Sequence, residues 1–90
     1  MPYVPVAAVE AVLALRMDQI HRFGHTAAAD LAAIKASGKR YHLAQIARTA
    51  LVDAIEDMQF NKDRAAIRRR LVKAAAMICA AIDAEDAQYD

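Results

Sequence analysis

The feature that most constrains this chain is a pair of apolar stripes within residues 41–82. Both stripes repeat every three or four residues, which places their side chains on one face of an α-helix. The first stripe comprises Leu43, Ile46, Ala47, Ala50, Leu51, Ala54, Ile55 and Met58, and the second comprises Ile67, Leu71, Ala74, Ala75, Ile78 and Ile82. Residues 60–63 lie between the two predicted helices, and either Asn61 or Asp63 suits the N-cap of the second. The pattern predicts a C-terminal antiparallel helical hairpin.

The remainder of the chain predicts one more long helix and a short one. Pro5 suits a first helical turn, and apolar spacing predicts a helix from about Val6 to Phe23 that ends at Gly24. Thr26 suits the N-cap of a shorter helix over residues 27–36. The side of the first helix expected to face the core comprises Val9, Val12, Leu13, Met17 or Arg16, Ile20 and Phe23.

These elements predict an all-α fold: a small helical bundle with three long helices and one short helix, built around the C-terminal hairpin. We expect one domain over residues 1–90, with flexible ends at 1–5 and 84–90, because the apolar pattern fades after Ile82. The chain is 58% apolar, but much of that fraction is alanine, which contributes little buried area. A thin core of this kind favours a homo-oligomer, either a dimer or a tetramer.

Charge is distributed unevenly along the chain. Residues 39–73 carry nine basic and four acidic side chains, whereas residues 74–90 carry four acidic and no basic ones. The basic middle suits either a phosphate ligand or a solvated face with ion pairs between subunits. Three consecutive arginines at 68–70 span about 200° of a helix, so they form no single patch, and nucleic acid is not an expected partner.

Other broad features narrow the class of protein. The single cysteine excludes an internal disulfide, and no apolar run approaches the roughly 18 residues that cross a bilayer. The start of the chain lacks the basic segment of a signal peptide. His21 and His25 have a metal-ligand spacing, but Gly24 is expected to break the helix between them. We therefore expect a soluble cytoplasmic protein without a membrane partner.

A polar strip follows from the predicted hairpin register. Residues equidistant from the turn lie level with each other, so Asp53 falls opposite Arg70, and Thr49 falls opposite Lys73. Two interpretations are open. The strip is either a set of interhelical ion pairs beside the core, or a groove in which Arg70 and Lys73 neutralise a phosphate.

Two segments resemble a known family. Residues 16–24, Arg-Met-Asp-Gln-Ile-His-Arg-Phe-Gly, resemble the R-x-x-Q-x-x-[KR]-[WF]-G segment that closes the first helix of small phage and prophage proteins of the MazG-like type. Residues 67–83 are similar to the last helix of those proteins, in which R-x-[ED]-L-V-[QDK]-x-A-A precedes an apolar run. Residues 46–57 fall where that family places its E-E-x-x-E helix. The resemblance covers about residues 9–85.

The resemblance implies an all-α nucleotide pyrophosphohydrolase in which carboxylates of two helices hold Mg²⁺ around a triphosphate. This sequence departs from that pattern. On the first helix of the C-terminal hairpin, Thr49, Ala50 and Asp53 stand where the family has carboxylates. On the second helix of the hairpin, Arg70 and Lys73 stand at such positions. We therefore expect a scaffold without catalytic residues, metal or cofactor, which binds a nucleotide, another phosphate ligand or a protein partner. The expected ligand-binding residues are Arg70, Lys73, Thr49, Asp53, Arg16 and Gln19.

Two alternatives remain open. One is an active, Mg²⁺-dependent nucleoside triphosphate pyrophosphohydrolase that uses other carboxylates, such as Asp53, Glu56, Asp57 or groups of a neighbouring subunit. The other is a purely structural helical module that forms oligomers. A pyrophosphate-release assay distinguishes the enzyme from the two non-catalytic interpretations.

Overall fold

The structure, a computed structural model, describes residues 6–60 and 63–88. It contains four helices, α1 (Val6–Phe23), α2 (Ala27–Ser37), α3 (His42–Gln59) and α4 (Arg64–Ala87), and no strand among those residues. The all-α prediction is therefore confirmed for this part of the chain. The expected roles of Pro5 and Asn61 lie outside the described residues, as do the predicted flexible residues 1–5 and 89–90.

Local signals fix the helix ends. The Oγ1 of Thr26 accepts the backbone N–H of Ala29 at 3.1 Å, which caps α2 as predicted. The Asp63 carboxylate accepts the backbone N–H of Ala65 at 3.2 Å and caps α4. Both glycines adopt left-handed backbone conformations, with φ of 71° and 70°, directly after α1 and α2. The absence of a Cβ allows this conformation, so each glycine ends its helix.

The central helix of the fold is α4, because it packs against each of the other three. The start of α3 lies beside the end of α4, where Leu43 packs in one cluster with Ala80 and Ala84. The apolar pattern predicted that the last helix ends near Ile82. That boundary is wrong, since α4 continues to Ala87 and Ala84 is almost completely buried. The segment 84–90 that was expected to be flexible thus begins inside a helix.

An ion pair between Arg40 and Glu85 lies at the C-terminal end of α4. Arg40, just before α3, donates from Nε and Nη2 to the two carboxylate oxygens of Glu85, at 2.8 and 2.7 Å. Hydrogen bonding by the guanidinium, together with its positive charge, lowers the pKa of Glu85 below its ordinary value. The contact links the chain before α3 to the last turn of α4 on the surface of the protein.

The buried core is built mainly from alanine. Within residues 6–60 and 63–88, its apolar members are Ile34, Leu43 and seven alanines: Ala47, Ala50, Ala54, Ala74, Ala76, Ala80 and Ala84. The larger members of the two predicted stripes are instead 39 to 55% exposed: Leu51, Ile55, Met58, Leu71, Ile78 and Ile82. In the single chain, these larger side chains of the two stripes do not lie in the core. Helices approach each other most closely through their smallest side chains, which displaces longer neighbours to the edges of the contact.

A similar correction applies to α1. Val9, Leu13, Met17 and Phe23 were expected to face the core, but all four are exposed. The buried residue of α1 is Arg16, which the spacing offered as the alternative to Met17, with 6% of its surface exposed. The long arginine stem packs as an apolar chain, and its charged end finds a partner on α4. Among the described helices, none combines the length and the apolar character that crossing a membrane requires.

Candidate functional site

A groove of about 820 Å³, here called the main groove, is lined by residues of all four helices. Its apolar lining comprises Ala11, Leu15, Phe23, Ala33, Leu43, Ile46, Val72, Met77 and Ala80, and its polar lining comprises Arg16, Gln19, His25, Asp30, His42, Arg68, Arg69 and Lys73. A volume of this size lies within the range of about 300–1,000 Å³ that is typical of small-molecule sites.

Arg16 and Gln19 lie side by side in the main groove, because residues three apart are neighbours on a helix. The Nη1 of Arg16 donates to the Oε1 of Gln19 at 3.1 Å, and its Nη2 forms an ion pair with Asp83 at 2.9 Å. The Arg16 side chain is 7% exposed, whereas the Asp83 side chain is 50% exposed. The amide of Gln19 also lies 3.7 Å from the sulfur of Met77. The segment that resembles the R-x-x-Q motif therefore places the buried guanidinium of Arg16 in the wall of the main groove.

Three further cations, Arg68, Arg69 and Lys73, line the main groove from the first half of α4. All three are exposed, and no ion pair joins any of them to a carboxylate of the described residues. Among the described lining residues the carboxylate is Asp30, so these side chains carry a net positive charge. Such a combination of apolar walls and cations favours an anion with an apolar body.

His25 and Asp30 are groove residues that the sequence reasoning missed. The Nδ1 of His25 lies 3.5 Å from the Oδ1 of Asp30, and Asp30 is buried in the first turn of α2. A carboxylate is stabilised there by the backbone N–H groups of the helix start. The signal in the sequence was an acidic residue four positions after the predicted N-cap Thr26.

The predicted polar strip forms a separate, smaller pocket of about 240 Å³, here called the minor pocket. It is lined by Ile46, Thr49, Ala50, Asp53, Arg70 and Lys73. Arg70 spans to α3, with its Nη1 3.0 Å from Asp53 and its Nε 2.7 Å from Asp57. The hydroxyl of Thr49 donates to a backbone carbonyl one turn earlier in α3. The sequence left two interpretations of this strip open, an interhelical ion pair and a phosphate groove. For Asp53 and Arg70, the structure contains the ion pair.

The six expected ligand-binding residues therefore divide between two sites. Arg16, Gln19 and Lys73 line the main groove, whereas Thr49, Asp53, Arg70 and again Lys73 line the minor pocket. In the minor pocket Arg70 is already neutralised by two carboxylates, so a phosphate there would have to compete with them. Across residues 6–60 and 63–88, no three His, Cys, Asp or Glu side chains come together in a way that would hold a metal ion.

Comparisons with known proteins identify no relative: no protein-family model, no curated protein sequence and no solved structure matches this chain. The similarity to MazG-like proteins therefore depends on the motif residues alone. The geometry of the main groove is the stronger guide to function.

Proposed function

We propose that this chain is a non-catalytic protein with a MazG-like scaffold that binds a nucleotide, or another ligand carrying phosphate, in the main groove. The observation that supports this most is the combination of the groove's volume, about 820 Å³, with its apolar walls and the exposed cations Arg68, Arg69 and Lys73. The apolar walls suit a base or sugar, and the cations suit a phosphate.

The charges of the groove account for binding without a metal. Lysine and arginine form charge-assisted hydrogen bonds with phosphate oxygens, and arginine does so through two parallel donors. Nucleotide enzymes commonly use Mg²⁺ to neutralise the same oxygens. Here the side chains Arg68, Arg69 and Lys73 would perform that neutralisation.

The loss of hydrolysis is supported by the minor pocket. MazG-like proteins, which this sequence resembles, hold Mg²⁺ between carboxylates of two helices. The corresponding positions of this chain include Arg70 and Lys73. The guanidinium of Arg70 contacts both Asp53 and Asp57, so it stands where a divalent cation would otherwise meet these carboxylates. Like charges repel, and this arrangement disfavours a metal between α3 and α4.

The binding proposal is tested by calorimetric titration with ATP, dATP and pyrophosphate, each in the presence of EDTA and again with Mg²⁺. We expect binding in EDTA, weakened about ten-fold by Lys73→Ala or Arg69→Ala, because each removes a charge-assisted contact. Lys35→Ala is the matched control, since this exposed lysine of α2 lies outside the groove lining.

Three results would contradict the proposal. Binding that requires Mg²⁺, or release of pyrophosphate from a triphosphate, would favour the active pyrophosphohydrolase. The absence of binding at millimolar ligand would favour a structural module. Equal affinity for the Lys73→Ala variant would place the ligand elsewhere.

The second candidate function, a helical oligomerisation module, is favoured by a different observation. The core contains Ile34, Leu43 and alanines, while many large apolar side chains are exposed on α1, α3 and α4. We infer that the chain works as a homo-oligomer, which buries part of this surface. We also infer that α3 and α4 form the antiparallel hairpin on which the bundle is built. Two observations support this: Leu43 and Ala84 belong to one buried cluster, and Asp53 forms an ion pair with Arg70.

A further inference from the structure

The outer face of α4 carries an apolar stripe that the rest of the described chain leaves partly exposed. Its members are Leu71, Ala75, Ile78 and Ile82, here called the α4 outer stripe, which follow one another at spacings of four, three and four. Leu71, Ile78 and Ile82 are 39, 50 and 54% exposed. The alternation of three and four is the spacing by which one helix packs along another. Ile78 and Ile82 also border a surface groove of about 450 Å³ between α3 and α4.

The charged side chains of α4 are distributed unfavourably for an isolated helix: the basic ones lie towards its N-terminus and the acidic ones towards its C-terminus. Residues 64–73 carry five basic and no acidic side chains, and residues 74–87 carry three acidic and no basic ones. Cations at a helix N-terminus and anions at its C-terminus both oppose the helix dipole. Arg64 and Arg68 near the start and Asp86 near the end form no ion pair with any described residue.

We propose that the α4 outer stripe packs against the same stripe of a second copy of this chain, with the two α4 helices antiparallel about a two-fold axis near Ala75. Leu71 of one copy then meets Ile78 and Ile82 of the other. Arg64 of one copy lies near the acidic end of the other, which includes Asp86. The two-fold axis makes both halves of the contact identical, so the assembly closes as a dimer.

Charge selects the antiparallel orientation over a parallel one. Parallel α4 helices would bring the basic starts together and the acidic ends together, and would also align the two helix dipoles. Antiparallel helices offset both effects, because each basic start faces an acidic end. The proposal concerns the outer face of α4 and does not depend on what the main groove binds.

The apolar part of the proposal is tested by sedimentation velocity over a range of concentrations. We expect the wild type to form dimers, and we expect Ile78→Asp to raise the dimer dissociation constant at least 100-fold. Val9→Asp is the control, because Val9 is 62% exposed on α1 and lies outside the stripe. Far-UV circular dichroism shows whether each variant remains helical.

The proposed contact between Arg64 and Asp86 of the two copies is tested by exchanging their charges. This experiment also tests the dimer if the Ile78→Asp variant fails to fold. Arg64→Asp and Asp86→Arg should each weaken the dimer about ten-fold, since every substitution acts twice across the two-fold axis. The double variant should recover to within about three-fold of the wild type. Along one α4 these positions lie 22 residues apart, about 33 Å at 1.5 Å per residue, so recovery cannot arise within a single chain.

The proposal is overturned by a monomeric wild type at 100 μM, by a dimer that survives Ile78→Asp unchanged, or by a double variant no tighter than the single ones. None of these results affects the nucleotide titration, so the two proposals fail separately. A dimer that passes all three tests but binds no nucleotide would identify the chain as an oligomerisation module.

Discussion

Removal of Asp83 should destabilise the fold more than removal of its partner Arg16. Asp83→Ala leaves the Arg16 guanidinium, only 7% exposed, without its carboxylate and with Gln19 as its remaining hydrogen-bond partner. Breaking a fully buried ion pair from one side costs about 3–5 kcal/mol. Since Asp83 is 50% exposed, we place the cost of Asp83→Ala at about 2.5 kcal/mol.

Arg16→Met is expected to lower the free energy of unfolding by less than Asp83→Ala does. It leaves Asp83, whose half-exposed carboxylate is solvated by water. The loss of a hydrogen bond between charged groups, about 1.5–3 kcal/mol, is partly offset by an apolar side chain in apolar surroundings, so we expect about 1 kcal/mol. The double variant should also cost about 1 kcal/mol, because no buried charge then lacks a partner. The coupling energy of the cycle is therefore about 2 kcal/mol or more.

Urea unfolding followed by circular dichroism at 222 nm measures all four proteins. The protein concentration must be equal in every experiment, because self-association stabilises the folded state by mass action. Asp18→Ala is the control: its ion pair with Arg22 is exposed and 3.6 Å long, so we expect a change below about 0.5 kcal/mol. If Asp83→Ala costs no more than Arg16→Met, the argument from the buried charge of Arg16 is refuted.

The remaining predictions concern ligands and pH. Asp83→Asn should raise the affinity of the main groove for pyrophosphate in EDTA about three- to ten-fold, because the buried guanidinium loses its counter-charge; calorimetry that shows weaker binding would contradict this. Arg40→Ala should return the pKa of Glu85 to its ordinary value, as measured by NMR titration. Because the folded-state pKa is lowered, the contribution of this pair to stability is present above the unfolded-state pKa and is lost as the pH falls through the folded-state value. Arg70→Glu combined with Lys73→Asp should create binding of Mn²⁺ or Mg²⁺ between α3 and α4, detectable by calorimetry, since four carboxylates would then face one another.

Two controls make these predictions specific. Lys35→Glu combined with Lys39→Glu makes the same change in net charge as the designed metal site, but at exposed positions outside the lining of the minor pocket. If this variant binds Mn²⁺ equally well, the binding reflects net charge and not a site. For the pH prediction, a Glu85 that retains its lowered pKa in Arg40→Ala would show that another group is responsible.

The sequence by itself determined the helices and most of their ends. Thr26, Asp63 and Gly24 act on backbone groups only a few residues away, so their roles can be predicted without knowledge of the rest of the fold. The proximity of Asp53 to Arg70 followed from counting residues away from a short connection. The end of α4 was missed because alanines and acidic residues after Ile82 carry no apolar pattern, although Ala84 is buried in the same cluster as Leu43.

Only the tertiary structure decided which apolar residues are buried and where the main groove lies. A helical stripe contains both Ala54 and Met58, and its periodicity does not reveal that Ala54 is buried whereas Met58 is exposed. The distance between helices decides this, and the smallest side chains at their contact set that distance. Arg16 and Lys73 likewise come together in one groove because α1 packs on α4 at a particular angle and height. Such long-range geometry depends on all the contacts at once, whereas a helix cap depends on a few neighbouring atoms.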